Sequence, residues 1–579
     1  MRYSITMAAI IMFLIGQPIS AQNLTIAFDK NKNSTSTYPE IRQFYRTLDE
    51  ISPYVQVRDY GMTDSGQPLQ EVVVAADNHF TPEETRAAGK AVLLINNGIH
   101  PGEPDGIDAS MIWMRNLVLN NTMADMLENM TIVIIPVYNI GGCLNRSWIS
   151  RPDQNGPEEF GFRGNAKNLD LNRDFIKCDS KNARTFNQLF NKWNPDLMLD
   201  THVSNGADYQ HTISYVGTQK DKLTLPLKQL YTSELLPYFN NEMSKRGWDM
   251  VPYVFSFGPP ETGIIGFMDH PRFSSGYAAL HHTIAFMPET HMLKPYKDRV
   301  ASTLDFIKTT MFFLNQNKGK VIQAKKEAEQ YAIQQDSMTL TYKHNRNKWS
   351  KIPFKGYKAG KKPSAVSGKD RLYYDRNQPW TDSIRYYDSY EADVKVRVPV
   401  AYVIPQAYDH IINMLTINGV HLNHLSKDTI IEVEMYSIED FETVKSPYES
   451  HYLHSKTQVS TRKMKRQFYK GDVLIYTRQK PIRYIVETLE PQGVDSWFNW
   501  NFFDGILSVK EYYSDYVFED KAAQLLKENP DLKRQLDQKR SSDSKFAEDG
   551  EAQLDFVYKM SPYFEPPFRL YPIGRIVSQ

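Results

Sequence analysis

Residues 91–108 have the sequence AVLLINNGIHPGEPDGID, an apolar run followed by polar residues and glycines. The apolar part has the length and composition of a strand buried on both faces, and the Asn-Asn-Gly after it ends the strand. His100 and Glu103 follow at the strand's exit, where ligands and catalytic groups collect in open α/β sheets. Gly102 lets the backbone turn tightly between them. The stretch therefore predicts a buried strand that ends at two side chains with metal-ligand spacing, although an HxxE pair alone also occurs on ordinary surfaces.

The overall composition is that of a globular protein. The chain has 579 residues, whereas one domain mostly has ~50–250, so we expect two domains. Basic and acidic residues number 68 each. A neutral chain has no general attraction for nucleic acid or anionic membrane, so no nucleic-acid partner is predicted.

The first 21 residues have the features of a secretory signal peptide. Arg2 supplies a positive charge, residues 7–16 an apolar segment, and residues 19–21 a small-residue cleavage site. The apolar segment is shorter than the ~20 residues that a membrane span needs. We therefore expect cleavage after residue 21 and export to the periplasm or beyond, with no membrane span in the mature protein.

Cys143 and Cys178 are the two cysteines of the chain. So few cysteines exclude a disulfide-dense scaffold, even in an exported protein. One disulfide bond or two buried thiols remain as alternatives.

Residues 22–318 alternate between apolar runs and amphipathic segments. The predicted strands are 72–76, 91–95, 130–138, 196–200 and 283–287, and the predicted helices are 105–120, 183–193, 227–246 and 296–314. Apolar strands separated by helices are typical of an α/β fold with a mixed, largely parallel sheet and helices on both faces. This region is the predicted catalytic domain.

The sequence pattern changes after residue 318. Residues 319–372 are predicted to form a charged helix and a basic linker, because residues 343–371 contain ten Lys or Arg and one acid. Such a run indicates a solvated connector or, alternatively, a contact with an anionic surface. Residues 373–579 are predicted to be a smaller, β-rich C-terminal domain of unknown role. Its aromatic run at 497–503 is typical of a core or an interface more than of a ligand platform.

A third metal ligand is predicted at His202, which follows another apolar strand in DLMLDTH. Two histidines and one glutamate, with a fourth position left for water, are a ligand set of catalytic zinc sites. Glu289 ends a further apolar run, where it is placed to take a proton from water and deliver it to a leaving amine. These residues predict one zinc ion per chain, bound by His100, Glu103 and His202, and hydrolytic chemistry.

A polar motif, Asp170-Leu171-Asn172-Arg173, adds to this set. An arginine beside an amide presents donors that suit a carboxylate. Asp170 is placed to orient a ligating histidine. Taken alone, the motif is also an ordinary polar loop.

Taken together, these motifs resemble the zinc carboxypeptidase family of metallopeptidases, the carboxypeptidase A-like group. HPGE at 100–103, DLNR at 170–173, DTH at 200–202 and Glu289 occur in the family's order within residues 40–315. The resemblance implies the family's fold, a peptide substrate, a zinc ion on His100, Glu103 and His202, and Glu289 as general base and acid.

The resemblance also implies roles for the surrounding polar residues. Asn172 and Arg173 would hold the substrate's terminal carboxylate, and Asp170 would support the first histidine ligand. The oxyanion would be stabilised by Arg163, with Arg151 as the rival. One departure concerns the family's mobile tyrosine, which has no clear counterpart: Phe267 lies near its expected place, and Tyr277 lies closer to Glu289 than the pattern predicts.

We therefore expect an exported zinc metallocarboxypeptidase that removes C-terminal residues from peptides. An amidase or deacylase on the same scaffold, including a cell-wall peptide amidase, is the alternative. A non-catalytic binding protein is a third interpretation, but such a protein needs neither the complete ligand set nor Glu289. The sequence carries no signal for the oligomeric state.

Overall fold

The computed structural model describes residues 24–577, so the predicted signal peptide lies outside the described residues. The α-helices are α1 (Phe28–Asn31), α2 (Tyr38–Ile51), α3 (Pro82–Ala87), α4 (Asp105–Asn120), α5 (Ile140–Leu144), α6 (Lys181–Trp193), α7 (Leu225–Leu230), α8 (Leu236–Lys245), α9 (Ser274–Leu280), α10 (Tyr296–Ile333), α11 (Asp409–Ile417), α12 (Ile482–Leu489), α13 (Asp515–Glu528), α14 (Pro530–Ser542), α15 (Ser544–Glu548) and α16 (Gly550–Lys559).

The β-strands alternate with these helices in the first part of the chain and dominate the second. They are β1 (Val55–Met62), β2 (Pro68–Val74), β3 (Ala91–Asn96), β4 (Met130–Ile135), β5 (Leu197–Asp200), β6 (His202–Ser204), β7 (Ile213–Gly217), β8 (Val251–Pro252), β9 (Ile264–Ile265), β10 (Ile284–His291), β11 (Ser337–Thr339), β12 (Tyr342–His344), β13 (Ser350–Pro363), β14 (Asp370–Tyr387), β15 (Tyr390–Ala392), β16 (Lys395–Arg397), β17 (Ala401–Ile404), β18 (Asn423–His424), β19 (Thr429–Thr443), β20 (His454–Phe468), β21 (Val473–Tyr476) and β22 (Gly574–Ile576).

The chain divides into two compact units. The first comprises the chain up to Asp269 together with Phe273–Ala328 and Asn345–Ser389, and the second comprises His270–Arg272, Glu329–His344 and the chain from Tyr390 onward. The predicted boundaries at 318 and 372 differ from this division, because α10 continues past residue 318 and residues 345–389 belong to the first unit.

The first unit is built on a mixed sheet with the strand order β1-β2-β4-β3-β5-β10-β7-β8, and β6 pairs with β10. The central pairs β4–β3, β3–β5 and β5–β10 are parallel, whereas β1–β2, β2–β4 and β10–β7 are antiparallel. Every residue of β3, β4 and β5 is buried, as their uninterrupted apolar sequences predict. The predicted α/β fold class is confirmed.

Strand register sets the position of the functional edge. Asn96 at the end of β3 pairs with Asp200 at the end of β5, and Glu289 of β10 pairs with His202 of β6. Because parallel strands end at the same edge of a sheet, the polar residues that follow β3 and β5 lie beside Glu289.

Two helices show how local sequence sets the element boundaries. The predicted helix 105–120 is present as α4. The predicted helix 227–246 is divided into α7 and α8 by a wider, π-type turn over Tyr231–Leu235. Pro237 in the first turn of α8 has no backbone N–H for a regular helical hydrogen bond, which accounts for the break.

The predicted basic linker is instead a long β-hairpin of β13 and β14. Phe354 and Ile384 on its inner side are buried against Tyr209, Val251 and Ile264, while Lys351 and Lys358 are exposed. The prediction of a solvated connector was wrong because apolar residues alternate with the lysines, so one face of the hairpin is apolar although the total charge is high.

The second unit contains an antiparallel sheet with the order β18-β21-β17-β22-β19-β20. The predicted β-rich character is confirmed, and α13–α16 add a helical part with its own apolar cluster around Phe518 and Leu536. Trp497, Phe498 and Trp500 of the aromatic run are fully buried. This run therefore fills a core.

Two further expectations concern the cysteines and the membrane. Cys143 and Cys178 are both buried and both free, so they are two thiols and do not form a disulfide bond. Among residues 24–577, no helix is long and apolar enough to cross a membrane.

Gly106 is predicted to be required for the packing of α4. A Cβ atom at Gly106 would overlap the Thr201 hydroxyl and lie 2.6 Å from Asn97 Oδ1. Gly106→Ala should therefore lower the stability by about 1–3 kcal/mol, the usual cost of overpacking. Thermal melting should show a reduced Tm.

Gly319→Ala is the matched control, because Gly319 also lies inside a helix and a Cβ there would meet no atom within 4 Å. Alanine is favoured over glycine in a helix by up to ~1 kcal/mol, so this variant should melt at the same or a higher temperature. Equal Tm values for the two variants would contradict the packing argument.

Candidate active site

His100, Glu103 and His202 form a buried cluster at the sheet edge. One ligand atom from each of the three lies within 4.8 Å of the others. The turn that carries the first two is closed by a hydrogen bond from the Glu103 N–H to the His100 carbonyl (2.8 Å). A Cβ at Gly102 would lie 2.8 Å from Arg151 Cδ and 3.0 Å from the Gly161 carbonyl, so glycine is required there by close approach.

Two aspartates fix the orientation of the histidine rings. Asp170 Oδ1 accepts a hydrogen bond from His100 Nε2, and Asp200 Oδ2 accepts one from His202 Nε2, both at 2.9 Å. When Nε2–H of a neutral imidazole donates to a carboxylate, Nδ1 carries no proton and its lone pair can bind a metal ion. Both Nδ1 atoms then face Glu103 Oε2, at 3.3 Å and 3.2 Å.

The donor set fits a zinc ion. His100 Nδ1 is buried and has no hydrogen-bond partner, which is costly unless another group occupies its lone pair. Two imidazole nitrogens and one carboxylate leave the fourth tetrahedral position open, as in catalytic zinc sites. The residues present are therefore suited to the metal that the sequence predicts.

Asp200 is a functional candidate that the sequence prediction quoted within a motif without assigning it a role. It is fully buried and also accepts a hydrogen bond from Asn96 Nδ2 at 3.0 Å. Its signal in the sequence is an acid two residues before the histidine, at the end of a buried strand. An acid there needs a partner, and the histidine supplies one.

The pKa values of the cluster follow from its charges. Burial raises the pKa of Glu103, but the charges of His100 and Arg151 outweigh it and hold the pKa well below the usual range. Burial likewise opposes ionisation of Asp170, yet His100, Arg163 and Arg173 lower its pKa. Burial lowers the pKa of His202, but the Asp200 carboxylate raises it well above the usual value.

Glu289 lies on β10 beside His202 and lines the same cavity. Burial of its carboxyl raises the pKa to about 8; His202 opposes this shift and Glu103 adds to it. A divalent cation at the three-residue cluster would favour the ionised form and lower this pKa. Glu289 is thus a carboxyl group that can both accept and release a proton near neutral pH.

The cavity has a volume of about 290 Å³. Its lining contains both charged or polar residues and apolar side chains. It is lined by His100, Glu103, Arg151, Arg163, Asn172, Arg173, His202, Val203, Ser204, Asn205, Val216, Tyr253, Phe267, Phe273, Met287 and Glu289. All the predicted site residues line it except Asp170, which lies behind His100.

Both arginines considered for the oxyanion role contact Glu103. Arg151 Nη1 lies 2.9 Å from Glu103 Oε1, and Arg163 Nη1 lies 3.5 Å from the same oxygen. Arg163 also binds Asp170, with Nη2 at 2.9 Å. The structure therefore brings both candidates to the cavity, with Arg151 the less exposed of the two.

Asn172 and Arg173 lie in a single 3₁₀ turn that Asp170 caps, accepting a hydrogen bond from the Asn172 N–H at 2.9 Å. Asn172 Oδ1 accepts a hydrogen bond from the Ser274 N–H, so its amide nitrogen remains as a donor. The Arg173 guanidinium lies 4.6 Å from the centre of the Phe273 ring. Two hydrogen-bond donors of fixed geometry thus border the cavity.

The structure also bears on the tyrosine that the sequence left open. Phe267 lines the cavity, whereas Tyr277 is buried, with its hydroxyl accepting a hydrogen bond from Asn191 Nδ2 at 3.0 Å. Tyr253 lines the cavity, and burial together with the charge of Glu289 raises its pKa. The sequence pattern did not single out Tyr253, because only folding brings it to the cavity.

Comparisons with known proteins agree with this geometry. Residues 41–215 match the model of a family described as zinc carboxypeptidase. Carboxypeptidase 2 of Trichophyton rubrum is 20% identical over 487 residues, which cover 80% of this chain and 83% of that protein. Probable carboxypeptidase 2 of Arthroderma benhamiae is 25% identical over 141 residues, 24% of each chain.

Solved structures with some similarity include a metallo-carboxypeptidase from Burkholderia cenocepacia. It is 14% identical, with a TM-score of 0.38 over 50% of this chain and 70% of that chain. Carboxypeptidase A from Helicoverpa armigera is 16% identical, with a TM-score of 0.37 over 53% and 79%.

The fold and the site define a metal-dependent hydrolase, because a His–Glu–His cluster and a titratable carboxyl group meet in one cavity at the sheet edge. The family model and the curated relatives identify the class as a metallopeptidase. Residues 41–215 are similar to the zinc carboxypeptidase family, and the curated relatives of the chain are carboxypeptidases.

Asp200→Asn is predicted to weaken zinc binding. The neutral amide of asparagine accepts a weaker hydrogen bond from Nε2–H of His202 than the carboxylate does. The tautomer that leaves Nδ1 free to bind the metal is then less favoured. Loss of such an outer partner typically lowers metal affinity ~10- to 100-fold. Competition with a chromogenic chelator would measure the change.

Asp196→Asn is the control, because Asp196 is also buried but binds Arg86 and the Val92 N–H and contacts no histidine. It should keep the zinc affinity of the unmodified protein. An unchanged affinity in Asp200→Asn would rule out this role for Asp200.

Proposed function

We propose that the protein is an exported zinc metallocarboxypeptidase that hydrolyses the C-terminal bond of peptides. The observation that carries this proposal is the meeting of two features in one cavity. The metal cluster and Glu289 provide hydrolytic chemistry, and Asn172 with Arg173 provides donors suited to a free carboxylate. Export is inferred from residues 1–21 alone.

His100, Glu103 and His202 would hold the zinc ion through Nδ1 of each ring and the Glu103 carboxylate. Zinc supplies Lewis-acid polarisation of the scissile carbonyl and a lowered pKa for water. Asp170 and Asp200 hold the rings in the tautomer that leaves Nδ1 free.

Glu289 is the proposed carrier of the proton. Its carboxylate takes a proton from the attacking water and delivers it to the amine that leaves. Arg151 and Arg163 place positive charge where the carbonyl oxygen becomes negative, and Arg151 is nearer to Glu103.

Substrate recognition is proposed for Asn172 and Arg173, which line the same cavity. The Arg173 guanidinium is held by the Phe273 ring and by the Asn172 carbonyl, which accepts a hydrogen bond from Nη1 at 2.8 Å. A fixed guanidinium loses little entropy when it binds a carboxylate. The apolar lining residues Val216, Phe267 and Met287 are suited to the side chain of an apolar C-terminal residue.

An amidase or deacylase is the second candidate. It is favoured by the contact of Arg173 with Asp170 at 3.8 Å, because an arginine paired within the protein is less available to a substrate. Either enzyme would use the same metal cluster and Glu289.

Glu289→Gln should keep the zinc ion and lose turnover. The amide preserves the shape of the side chain but cannot carry a proton, and general acid–base catalysis contributes ~10²–10⁴-fold. Elemental analysis would check zinc content, and kcat would be measured on a peptide substrate. Near-normal turnover in this variant would exclude Glu289 as the proton carrier.

Arg173→Ala separates the two candidate functions. A charge-assisted hydrogen bond is worth ~1.5–3 kcal/mol, so kcat/KM for peptides with a free C-terminus should fall roughly 10- to 150-fold. Peptides with an amidated C-terminus should be poor substrates already and should lose little more. This comparison is a double-mutant cycle between enzyme and substrate.

An equal loss for free and amidated peptides would identify Arg173 as structural. The amidase or deacylase would then be the better description of the enzyme.

A further inference from the structure

The distal part of the hairpin formed by β13 and β14 is surrounded by solvent on both faces. The proximal part is anchored by Phe354 and Ile384, which are buried in a small apolar cluster. Residues 358–375, which we call the arm, continue the two paired strands and their turn. None of these residues is buried, and most of them are exposed. The whole arm belongs to the first unit.

The arm is held together by its backbone, because it has no core of its own. At the turn, the Ser364 N–H donates to the Lys369 carbonyl at 2.8 Å, and the Gly368 N–H donates to the Ser364 carbonyl at 2.9 Å. A two-stranded ribbon without an apolar face against a core is only marginally stable in water. The side chains of the arm therefore contribute little to the fold of the unit, and they are available for contact with a partner.

The arm is basic although the chain as a whole is neutral. It contains five basic residues and two acids, Asp370 and Asp375. Asp375 accepts hydrogen bonds from the Asn377 N–H and from Gln378 Nε2. Within residues 24–577, no acid forms an ion pair with any of the basic residues of the arm. These residues are all exposed, and they are Lys358, Lys361, Lys362, Lys369 and Arg371.

Cross-strand pairing places two of these cations against each other. Lys362 lies directly opposite Arg371 in the antiparallel register, so both side chains are on the same face. Lys358 is also on this face, because it is four positions from Lys362 along the strand. Lys362 Nζ lies 4.9 Å from the centre of the Tyr373 ring. Like charges directly opposite each other destabilise a ribbon, and an anionic partner at this face would offset the repulsion.

The turn at the end of the arm is apolar. Val366 is 99% exposed, and Ala365 beside it is also exposed. Leu372, which pairs with Lys361, is 51% exposed. A soluble polyanion gains nothing from these side chains, whereas a membrane offers an apolar region directly beneath its charged headgroups. A basic ribbon with an apolar tip therefore fits an anionic membrane surface better than a soluble polyanion.

We propose that the arm binds the surface of a membrane that contains anionic phospholipids. Its lysines and Arg371 contact the lipid phosphates, and Val366 enters the boundary between the headgroups and the acyl chains. The arm thereby attaches the protein to the membrane surface. This inference goes beyond the proposed hydrolase function and does not depend on it, because no residue of the arm lines the catalytic cavity.

Sedimentation with vesicles tests the proposal. The chain from residue 22 onward is used, because the apolar segment before it would itself bind lipid. It should bind vesicles of phosphatidylcholine and phosphatidylglycerol in equal parts, less so as salt is added, and should bind vesicles of phosphatidylcholine alone much more weakly. Failure of the unmodified protein to bind the mixed vesicles would overturn the proposal and leave the lysines as a guard against edge-to-edge strand pairing.

Removal of the charges of the arm should abolish most of this binding. Each basic residue near an anionic surface strengthens binding about 5-fold, so four substitutions should weaken it by roughly 100-fold or more. The Tm and the turnover of a soluble peptide should stay unchanged, which separates lost binding from unfolding. The substitutions are Lys361→Gln, Lys362→Gln, Lys369→Gln and Arg371→Gln.

A variant with the same loss of charge elsewhere in the first unit is the matched control. It replaces four exposed lysines on helices by glutamine, namely Lys30, Lys181, Lys297 and Lys326. Its binding to the mixed vesicles should stay close to that of the unmodified protein, because salt screens charges that lie more than about 10 Å from the lipid. A loss equal to that of the arm variant would assign binding to net charge and overturn the proposal.

Val366→Ser separates a membrane from a soluble polyanion as the partner. Loss of the apolar tip should weaken binding to the mixed vesicles roughly 10-fold at low and at high salt, because apolar burial does not depend on charge. Binding of soluble polyphosphate serves as the comparison and should not change. If Val366→Ser bound both the vesicles and polyphosphate like the unmodified protein, the partner would be a polyanion, and the membrane proposal would be wrong.

Discussion

The parallel pairing of β3, β5 and β10 is the constraint on which the site depends. Each strand ends at the same sheet edge, so residues that follow them in sequence meet in space although about a hundred positions separate them. The pairing of Asn96 with Asp200 fixes the relative height of the two histidine-bearing turns, and that of His202 with Glu289 places the carboxyl group beside them. A one-residue slip would turn every side chain of a strand to the other face.

Buried charge is the second feature that organises the site. Glu103 is almost without solvent, and its ionised form is stabilised by His100, Arg151 and His202. Asp170 and Asp200 then hold the two rings from behind. This alternation of opposite charges keeps buried ionisable groups paired. Glu289 differs from them, because burial and the nearby charge of Glu103 raise its pKa.

The sequence predicted the fold where a local pattern carries the information. The apolar run of β3, the helical spacing of α4 and the position of His202 after β5 are each visible within about twenty residues, and the structure contains all three. The hairpin of β13 and β14 was missed because its alternation is masked by lysines. Around Phe354 the lysines and the apolar residues lie on opposite faces, and composition cannot separate two faces.

The sequence by itself determined the similarity to zinc carboxypeptidases, the α/β order of elements and the set of residue types suited to a zinc site, because these depend on short motifs and on their order. Only the tertiary structure decided which groups contact them: Asp200 behind His202, and Tyr253 on the cavity wall. Asn96 and Asp200, which share a hydrogen bond, lie 104 positions apart. Such contacts arise from chain segments brought together by folding, and no periodicity or spacing along the sequence encodes a distance between two side chains so far apart.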